Sequence, residues 1–126
     1  MAIHLNHTIV RARDPRASAE FLADMLGRSP PVRFGPFYAV ELDNGATLDY
    51  MQADDVRWEH YAFLVSEAEF DVIFGRIRER GLQYWADPMH QRPGEINYND
   101  GGRGVYWSST DGHNLEIITR PYGSGG

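Results

Sequence analysis

One pattern of strands and helix occurs twice along the chain, and this repeat constrains the fold more than any other sequence feature. In the first copy, Asp14 is placed to cap a helix and Gly27 to end it. An Asn44-Gly45 pair then predicts a two-residue turn between two strands. Alternation of apolar and polar residues predicts strands at 5–10, 37–42 and 46–51, with a loop or short edge strand at 28–36.

The second copy repeats this order of elements. Ser66 and Glu69 match the capping box that starts a helix, and Gly81 is placed to end it. Asp111-Gly112 predicts the closing turn. The strands of this copy are predicted at 60–65, 82–86, 104–109 and 114–119, with a long loop at 87–103.

The repeat predicts an α+β fold made of two βαβββ modules. The 126 residues suit one ordinary domain. We therefore predict a single domain over residues 1–126, with module one at about 1–56 and module two at about 57–122.

Composition excludes several classes of function. The chain has no cysteine, so any metal must bind to His, Asp or Glu. The net charge of −6 opposes binding to nucleic acid or to an anionic membrane surface. No apolar stretch approaches the roughly 20 residues that span a bilayer. No secretory signal is visible at the N-terminus, which predicts a cytoplasmic protein.

Two carboxylates recur at matched positions of the two modules. Asp49 follows Gly45 by four residues, and Glu116 follows Gly112 by the same four residues. Both carboxylates lie in strands that are otherwise largely apolar. Because burying a charge in such a strand is costly without a compensating partner, the match indicates a shared function for this strand position.

Two histidines also occupy equivalent first strands. His7 lies 20 residues before Gly27, and His60 lies 21 residues before Gly81. Two imidazoles and one carboxylate form the facial triad that holds a divalent metal and leaves positions open for substrate or oxygen. We therefore predict that His7, His60 and Glu116 bind a metal. The alternative is that both histidines are ordinary hydrogen-bonded strand residues and that Glu116 faces water.

Asp49 stands where the repeat would place a fourth ligand opposite Glu116. Its side chain is about 1.5 Å shorter than that of glutamate, so it is expected to fall short of the metal. A hydrogen bond to a ligand, or a position on the polar rim, is the favoured interpretation, and Asp49 is counted among the catalytic candidates.

The long loop before the sixth predicted strand departs from the repeat. Loops of this length in compact domains are commonly functional. We predict that residues 92–103 shield the pocket, with Asn97, Tyr98 and Arg103 available to polar groups of a substrate.

Three further histidines are not placed by the repeat. They lie near a terminus, in the long loop and beside a turn, and solvent exposure is predicted for each: His4, His90 and His113.

Paired βαβββ modules with His on each first strand and Glu on the last resemble the vicinal oxygen chelate superfamily, which includes glyoxalase I, extradiol dioxygenases, fosfomycin-resistance enzymes and bleomycin-binding proteins. The resemblance covers essentially the whole chain, and it implies that the two modules pair to form a curved mixed sheet around a metal site. Longer runs are similar to the ChaP-like group of small single-domain oxygenases within this superfamily. These runs are residues 5–10, 60–66, 92–97, 100–106 and 115–123.

This resemblance implies a non-haem iron(II) oxygenase that cleaves or rearranges a fused-ring aromatic polyketide or related phenol. Its metal ligands would be His7, His60 and Glu116, with Mn, Ni or Zn as other candidate metals. Tyr106 would hydrogen-bond the bound substrate or oxygen as a second catalytic candidate. The implied partners are a small aromatic substrate, dioxygen and a second copy of the chain in a homodimer.

Two other functions fit the same residues, because a fold does not fix a reaction. A glyoxalase-like lyase or isomerase would use Ni or Zn, with Asp49 as a true fourth ligand, and would consume no oxygen. A drug-binding resistance protein would hold an aromatic ligand without metal, which would leave the three candidate ligands without a purpose.

Overall fold

The structure is a computed structural model that describes residues 2–125. Contacts within the chain divide it into two compact units, Met1–Arg57 and Trp58–Gly126. The division falls one residue after the boundary predicted between the two modules. Each unit is described by itself.

The first unit combines a four-stranded mixed sheet with one helix. Its elements are β1 (His7–Ala12), α1 (Pro15–Leu26), β2 (Val32–Phe34), β3 (Phe37–Glu41) and β4 (Thr47–Gln52). The strand order is β1-β4-β3-β2. β1 runs parallel to β4, and the other pairs are antiparallel. The stretch predicted as loop or short edge strand contains β2, which lies at the edge of this sheet.

The second unit combines a three-stranded mixed sheet with one helix. Its elements are β5 (His60–Leu64), α2 (Glu67–Glu79), β6 (Gly104–Ser108) and β7 (Asn114–Ile118), with a single 3-10 turn at Asn99–Gly101. The strand order is β5-β7-β6. β5 runs parallel to β7, and β6 is antiparallel to β7. The predicted α+β fold class is therefore confirmed.

The strand predicted at 82–86 is wrong, since only isolated bridges, to Pro93 and Tyr106, are formed there, both by Trp85. Its backbone N–H and C=O pair with Tyr106 on β6. The carboxylate of Asp87 then accepts hydrogen bonds from the backbone N–H groups of Gln91 and Arg92 at 2.7 to 2.9 Å. This turn carries the chain away from the sheet, so the backbone bonds of a full strand are not formed.

The helix ends follow the sequence prediction. The Asp14 carboxylate accepts a hydrogen bond from the backbone N–H of Ala17, and Gly27 ends α1 with φ 70°. Ser66 and Glu69 form both bonds of the predicted capping box at α2. Gly81 adopts φ 65° just past the end of α2. A positive φ of this kind favours glycine, which explains why both helices stop where they do.

The two predicted hairpin turns are one residue longer than expected. In the first, the N–H of Gly45 bonds the carbonyl of Leu42. In the second, the N–H of Gly112 bonds the carbonyl of Ser109. Each glycine is therefore the last residue of a four-residue turn, with a positive φ of 86° or 88°, and does not occupy the centre of a two-residue turn. The shared geometry is evidence for the internal repeat.

Each unit buries apolar side chains between its helix and its sheet. The fully buried residues include Leu22 and Met25 of α1, Phe70 and Ile77 of α2, and Trp107 of β6. Neither helix within residues 2–125 has the length and apolar character that crossing a membrane requires.

Candidate metal centre

The strand register places the candidate ligands at equivalent points of the two sheets. In the first unit His7 pairs with Thr47, two residues before Asp49. In the second unit His60 pairs with Asn114, two residues before Glu116. Residues two apart on a strand share a face. Each histidine therefore shares the face of a carboxylate on the parallel neighbouring strand, as the repeat predicted.

His60 and Glu116 are in direct contact in the second unit. The imidazole Nε2 and the carboxylate Oε1 are 2.9 Å apart. The Glu116 residue is only 8% exposed, while the His60 side chain is 39% exposed. A buried carboxylate beside a more open imidazole gives two metal-binding atoms with access from one side.

Tyr106 lies beside this pair on β6. Its ring centroid is 5.6 Å from that of His60, and its hydroxyl hydrogen-bonds the Glu116 carboxylate. Burial, followed by the negative charge of Glu116, raises the pKa of Tyr106 above its ordinary value of 10.0. The hydroxyl is therefore protonated at neutral pH and donates to the carboxylate.

His7 and Asp49 belong to the first unit. Asp49 is 8% exposed and accepts a hydrogen bond of 2.9 Å from the Thr47 hydroxyl. His7 is exposed, and its Nδ1 donates to the side-chain carbonyl of Asn6 at 2.7 Å. This bond leaves the lone pair on Nε2, which is the state in which an imidazole binds metal.

Within residues 2–125, no three His, Asp or Glu side chains stand close enough together to hold a metal ion. The structure brings His60 and Glu116 together, with Tyr106 beside them. That His7 completes the metal site stays a prediction. That Asp49 acts by hydrogen bonding and does not bind the metal also stays a prediction.

A cavity of about 420 Å³ opens beside the Glu116 carboxylate in the second unit. Tyr106 and Glu116 line it from the sheet, and Arg120 and Tyr122 line it from the segment after β7. A volume of this size is within the range of small-molecule sites.

The roles expected for two loop residues are wrong. The buried Asn97 side chain donates to the carbonyl of Ala86 at 2.8 Å and accepts from the N–H of Asn99. Arg103 forms ion pairs with Glu67 and Asp71 of α2 at 2.8 and 2.9 Å. Because these groups are engaged by the protein, they hold the loop in place and are not available to a substrate.

Tyr98 is 70% exposed, so its hydroxyl remains accessible from solvent. Both Asn97 and Arg103 still border the cavity beside Glu116. That the loop as a whole shields the pocket stays a prediction.

The attachment of the loop can be tested at Gly104, which exchanges two backbone hydrogen bonds with Asn97. A Cβ at Gly104 would lie 2.8 Å from the Asn97 Oδ1. We expect Gly104→Ala to lower the free energy of unfolding by about 1–3 kcal/mol, because the buried amide must move. Gly75→Ala, where no atom lies within 4 Å, is the control and should raise it by up to about 1 kcal/mol. Equal stability of the two variants in urea melts would contradict this role of Asn97.

Solvent exposure of His90 and His113 is also wrong, whereas His4 is exposed as predicted. His90 stacks on Trp85 with ring centroids 3.7 Å apart. His113 is 1% exposed, and its Nδ1 accepts from the backbone N–H of Glu59 at 3.0 Å. This bond fixes the chain next to His60. One signal for burial was present in the sequence, because His113 directly precedes the buried strand β7. The predicted turn beside it favoured exposure instead.

The Tyr106 hydroxyl can be tested with Tyr106→Phe, which keeps the ring. We expect the metal to stay bound and kcat to fall about tenfold, since one hydrogen bond to a charged group is lost. In an ultraviolet titration, Tyr106→Phe should remove one of the tyrosines that ionise above pH 10. Tyr61, whose pKa is raised by burial and by the charge of Glu59, should remain in both proteins. Because the pKa of Tyr106 is raised in the folded chain, the free energy of unfolding should fall as the pH rises above about 10. In that range the unfolded chain releases this proton and the folded chain retains it. Normal ionisation of every tyrosine would contradict the contact with Glu116.

Comparison with known proteins shows close relatives over the whole length. A solved structure described as oxidase ChaP-H1 is 67% identical, with a TM-score of 0.94 over 97% of this chain and 99% of that one. A second, oxidase ChaP-H2, is 63% identical, with a TM-score of 0.96 over the full length of both chains. The chain belongs to the vicinal oxygen chelate superfamily. Within it, the chain falls in the ChaP-like group.

More distant vicinal oxygen chelate proteins share the fold. Glutathione transferase FosA of Serratia marcescens is 27% identical over 120 residues, which is 90% of this chain and 78% of that protein. Fosfomycin resistance protein FosX of Mesorhizobium loti is 21% identical, with a TM-score of 0.68 over 97% of this chain and 96% of that one. No protein-family model matches the chain. The names of the two close relatives support an oxidase of the vicinal oxygen chelate fold.

Proposed function

We propose that this protein is a metal-dependent oxygenase, using Fe(II), that acts on a fused-ring phenol such as an aromatic polyketide. The observation that carries the proposal is the His60–Glu116 contact of 2.9 Å, whose Glu116 lines a cavity, in a chain 67% identical to a named oxidase. A small aromatic substrate, dioxygen, a homodimer and a cytoplasmic location are parts of the same proposal.

The residues present fit a divalent metal of this kind. An imidazole nitrogen and a carboxylate oxygen are ligand types that Fe(II) takes in facial triads. His60 and Glu116, whose Nε2 and Oε1 atoms are 2.9 Å apart, would hold the metal. His7 would supply the third ligand, with the Asn6 carbonyl holding its ring by Nδ1.

A bound divalent metal would supply a Lewis acid that favours the ionised form of a phenol and open positions for oxygen. Glu116 would provide the single negative charge of the ligand set. Tyr106 donates to Glu116 and holds that carboxylate in one orientation. Asp49 is proposed to act through hydrogen bonding, since Thr47 already engages its Oδ1.

The function is tested by metal analysis and oxygen uptake. Protein purified without chelator should contain one divalent metal per chain, and the Fe(II)-loaded form should consume oxygen with polycyclic phenols. Turnover should stop under anaerobic conditions. Unchanged conversion of an accepted substrate without oxygen would replace this proposal with lyase chemistry.

A further inference from the structure

The segment after β7 forms one wall of the cavity that contains Glu116. Arg120 and Tyr122 both line this cavity. Tyr122 is 95% exposed, so its ring has almost all of its surface available to a ligand. The Arg120 guanidinium is exposed and forms no ion pair with another residue in 2–125. An exposed aromatic ring and an exposed cation therefore line the same cavity as the candidate metal ligand Glu116.

Asp100 fixes the backbone of this segment. Its two carboxylate oxygens accept hydrogen bonds from the N–H groups of Gly123 and Gly125, each at 3.1 Å. Because one oxygen binds each amide, the carboxylate bridges both sides of Ser124. The segment also closes on itself through a bond from the Ser124 N–H to the Pro121 carbonyl. The backbone of Tyr122 therefore lies between two hydrogen-bonded residues, Pro121 and Gly123.

The backbone of the 3-10 turn is strained at Asp100. Asp100 adopts φ 58°, a left-handed conformation that non-glycine residues seldom take. At Gly102, a Cβ would overlap the side chains of Thr119 and Arg120. At Gly125, a Cβ would overlap the backbone of Asp100. The 3-10 turn and the segment after β7 are thus packed closely where the Asp100 carboxylate binds the segment.

We propose that Tyr122 and Arg120 form a substrate-binding wall of the metal centre, selective for flat fused-ring phenols that carry an anionic group, and that Asp100 is the positioning residue of this wall. Stacking on Tyr122 buries two aromatic faces, and Arg120 pairs with a carboxylate or phenolate at the edge of the ligand. The proposal rests on the oxygenase function for its substrate class, but it concerns binding, which can be measured without turnover.

The test is a pair of fluorescent probes, a hydroxynaphthoate and the corresponding naphthol that lacks the carboxylate. Their dissociation constants are measured with wild type and variants at equal metal content. We expect Tyr122→Leu to weaken both probes about three- to tenfold, while Tyr122→Phe keeps wild-type affinity because it keeps the ring. Arg120→Gln should weaken the hydroxynaphthoate about tenfold and leave the naphthol unchanged.

Asp100→Gly tests the positioning role, because glycine accepts φ 58° without strain and removes both acceptors. It should reproduce the loss seen in Tyr122→Leu, and the double variant should lose no more than either single one. Asp100→Asn, which tolerates this backbone conformation, should restore part of the affinity. In turnover, these variants should raise KM and leave kcat within about twofold.

The outcomes separate this inference from the oxygenase proposal. If Tyr122→Leu binds both probes with wild-type affinity, the proposed substrate-binding wall is wrong, even if the protein consumes oxygen. Wild-type affinity for Asp100→Gly would overturn the positioning role. Weakened binding in these variants, together with no oxygen uptake by the wild type, would support the wall and contradict the oxygenase. Failure of the wild type to bind either probe would overturn the proposed ligand class.

Discussion

Glu116→Ala is expected to lose its divalent metal and its turnover together. Glu116 would carry the only negative charge of a ligand set with two neutral imidazoles, so its removal leaves no anionic ligand for a dication. We expect metal affinity to fall by more than about 100-fold, measured as metal content after dialysis. Glu116→Gln keeps the shape and a hydrogen-bonding oxygen, so it isolates the contribution of the charge.

Asp49→Ala should behave differently, although Asp49 is the symmetry equivalent of Glu116 and equally buried at 8% exposure. Its Oδ1 is engaged by the Thr47 hydroxyl, and its side chain is shorter. We expect this variant to keep its metal and to lose about 10–100-fold in metal affinity or rate, as for residues that orient ligands. Equal metal loss in the two alanine variants would indicate a four-ligand site and favour glyoxalase-like chemistry.

His7→Ala and His60→Ala are expected to lose metal to a similar extent, since each removes one of three ligands. His4→Ala is the matched control, because His4 is an exposed imidazole three residues before His7 and should keep wild-type metal content. Calorimetric titration of each apoprotein with Fe(II) or Mn(II) measures the difference. We expect a loss of at least about tenfold in affinity for the two ligand variants.

The His7 result decides between two interpretations of the His60 contact. If His7→Ala binds metal as well as wild type while His60→Ala does not, His7 is not a ligand. If neither substitution alters binding, the 2.9 Å contact between His60 and Glu116 is an ordinary structural contact, and the assignment of the two histidines as metal ligands is wrong.

Features that depend on a few neighbouring residues were predictable from the sequence. Asp14, the Ser66–Glu69 capping box and Gly27 act within one turn of the helices that they start or end. The equivalence of His60 and Glu116 to His7 and Asp49 also followed from the spacing alone, because two copies of one pattern share one register. The fold class and the location of the candidate ligands came from these local and repeated signals.

Features that depend on competition for partners required the tertiary structure. Residues 82–86 have the composition of a strand, but Asp87 turns the chain and leaves only two isolated bridges, both at Trp85. Arg103 looked available to a substrate, yet two carboxylates of α2, 36 and 32 residues away along the chain, engage it. The sequence shows which donors and acceptors are present, but it does not show which of them pair with one another.

The same reason explains the positions of His113 and Asp100. Both are beside or within turns, where exposure is the ordinary expectation, and both are held by groups far along the chain: the Glu59 N–H for His113 and the Gly123 and Gly125 N–H groups for Asp100. Capping, turn and repeat signals act over a few residues and can be recognised along the sequence. The partners of a buried or strained polar group are set by which distant backbone segments pack together, so only the folded chain decides them.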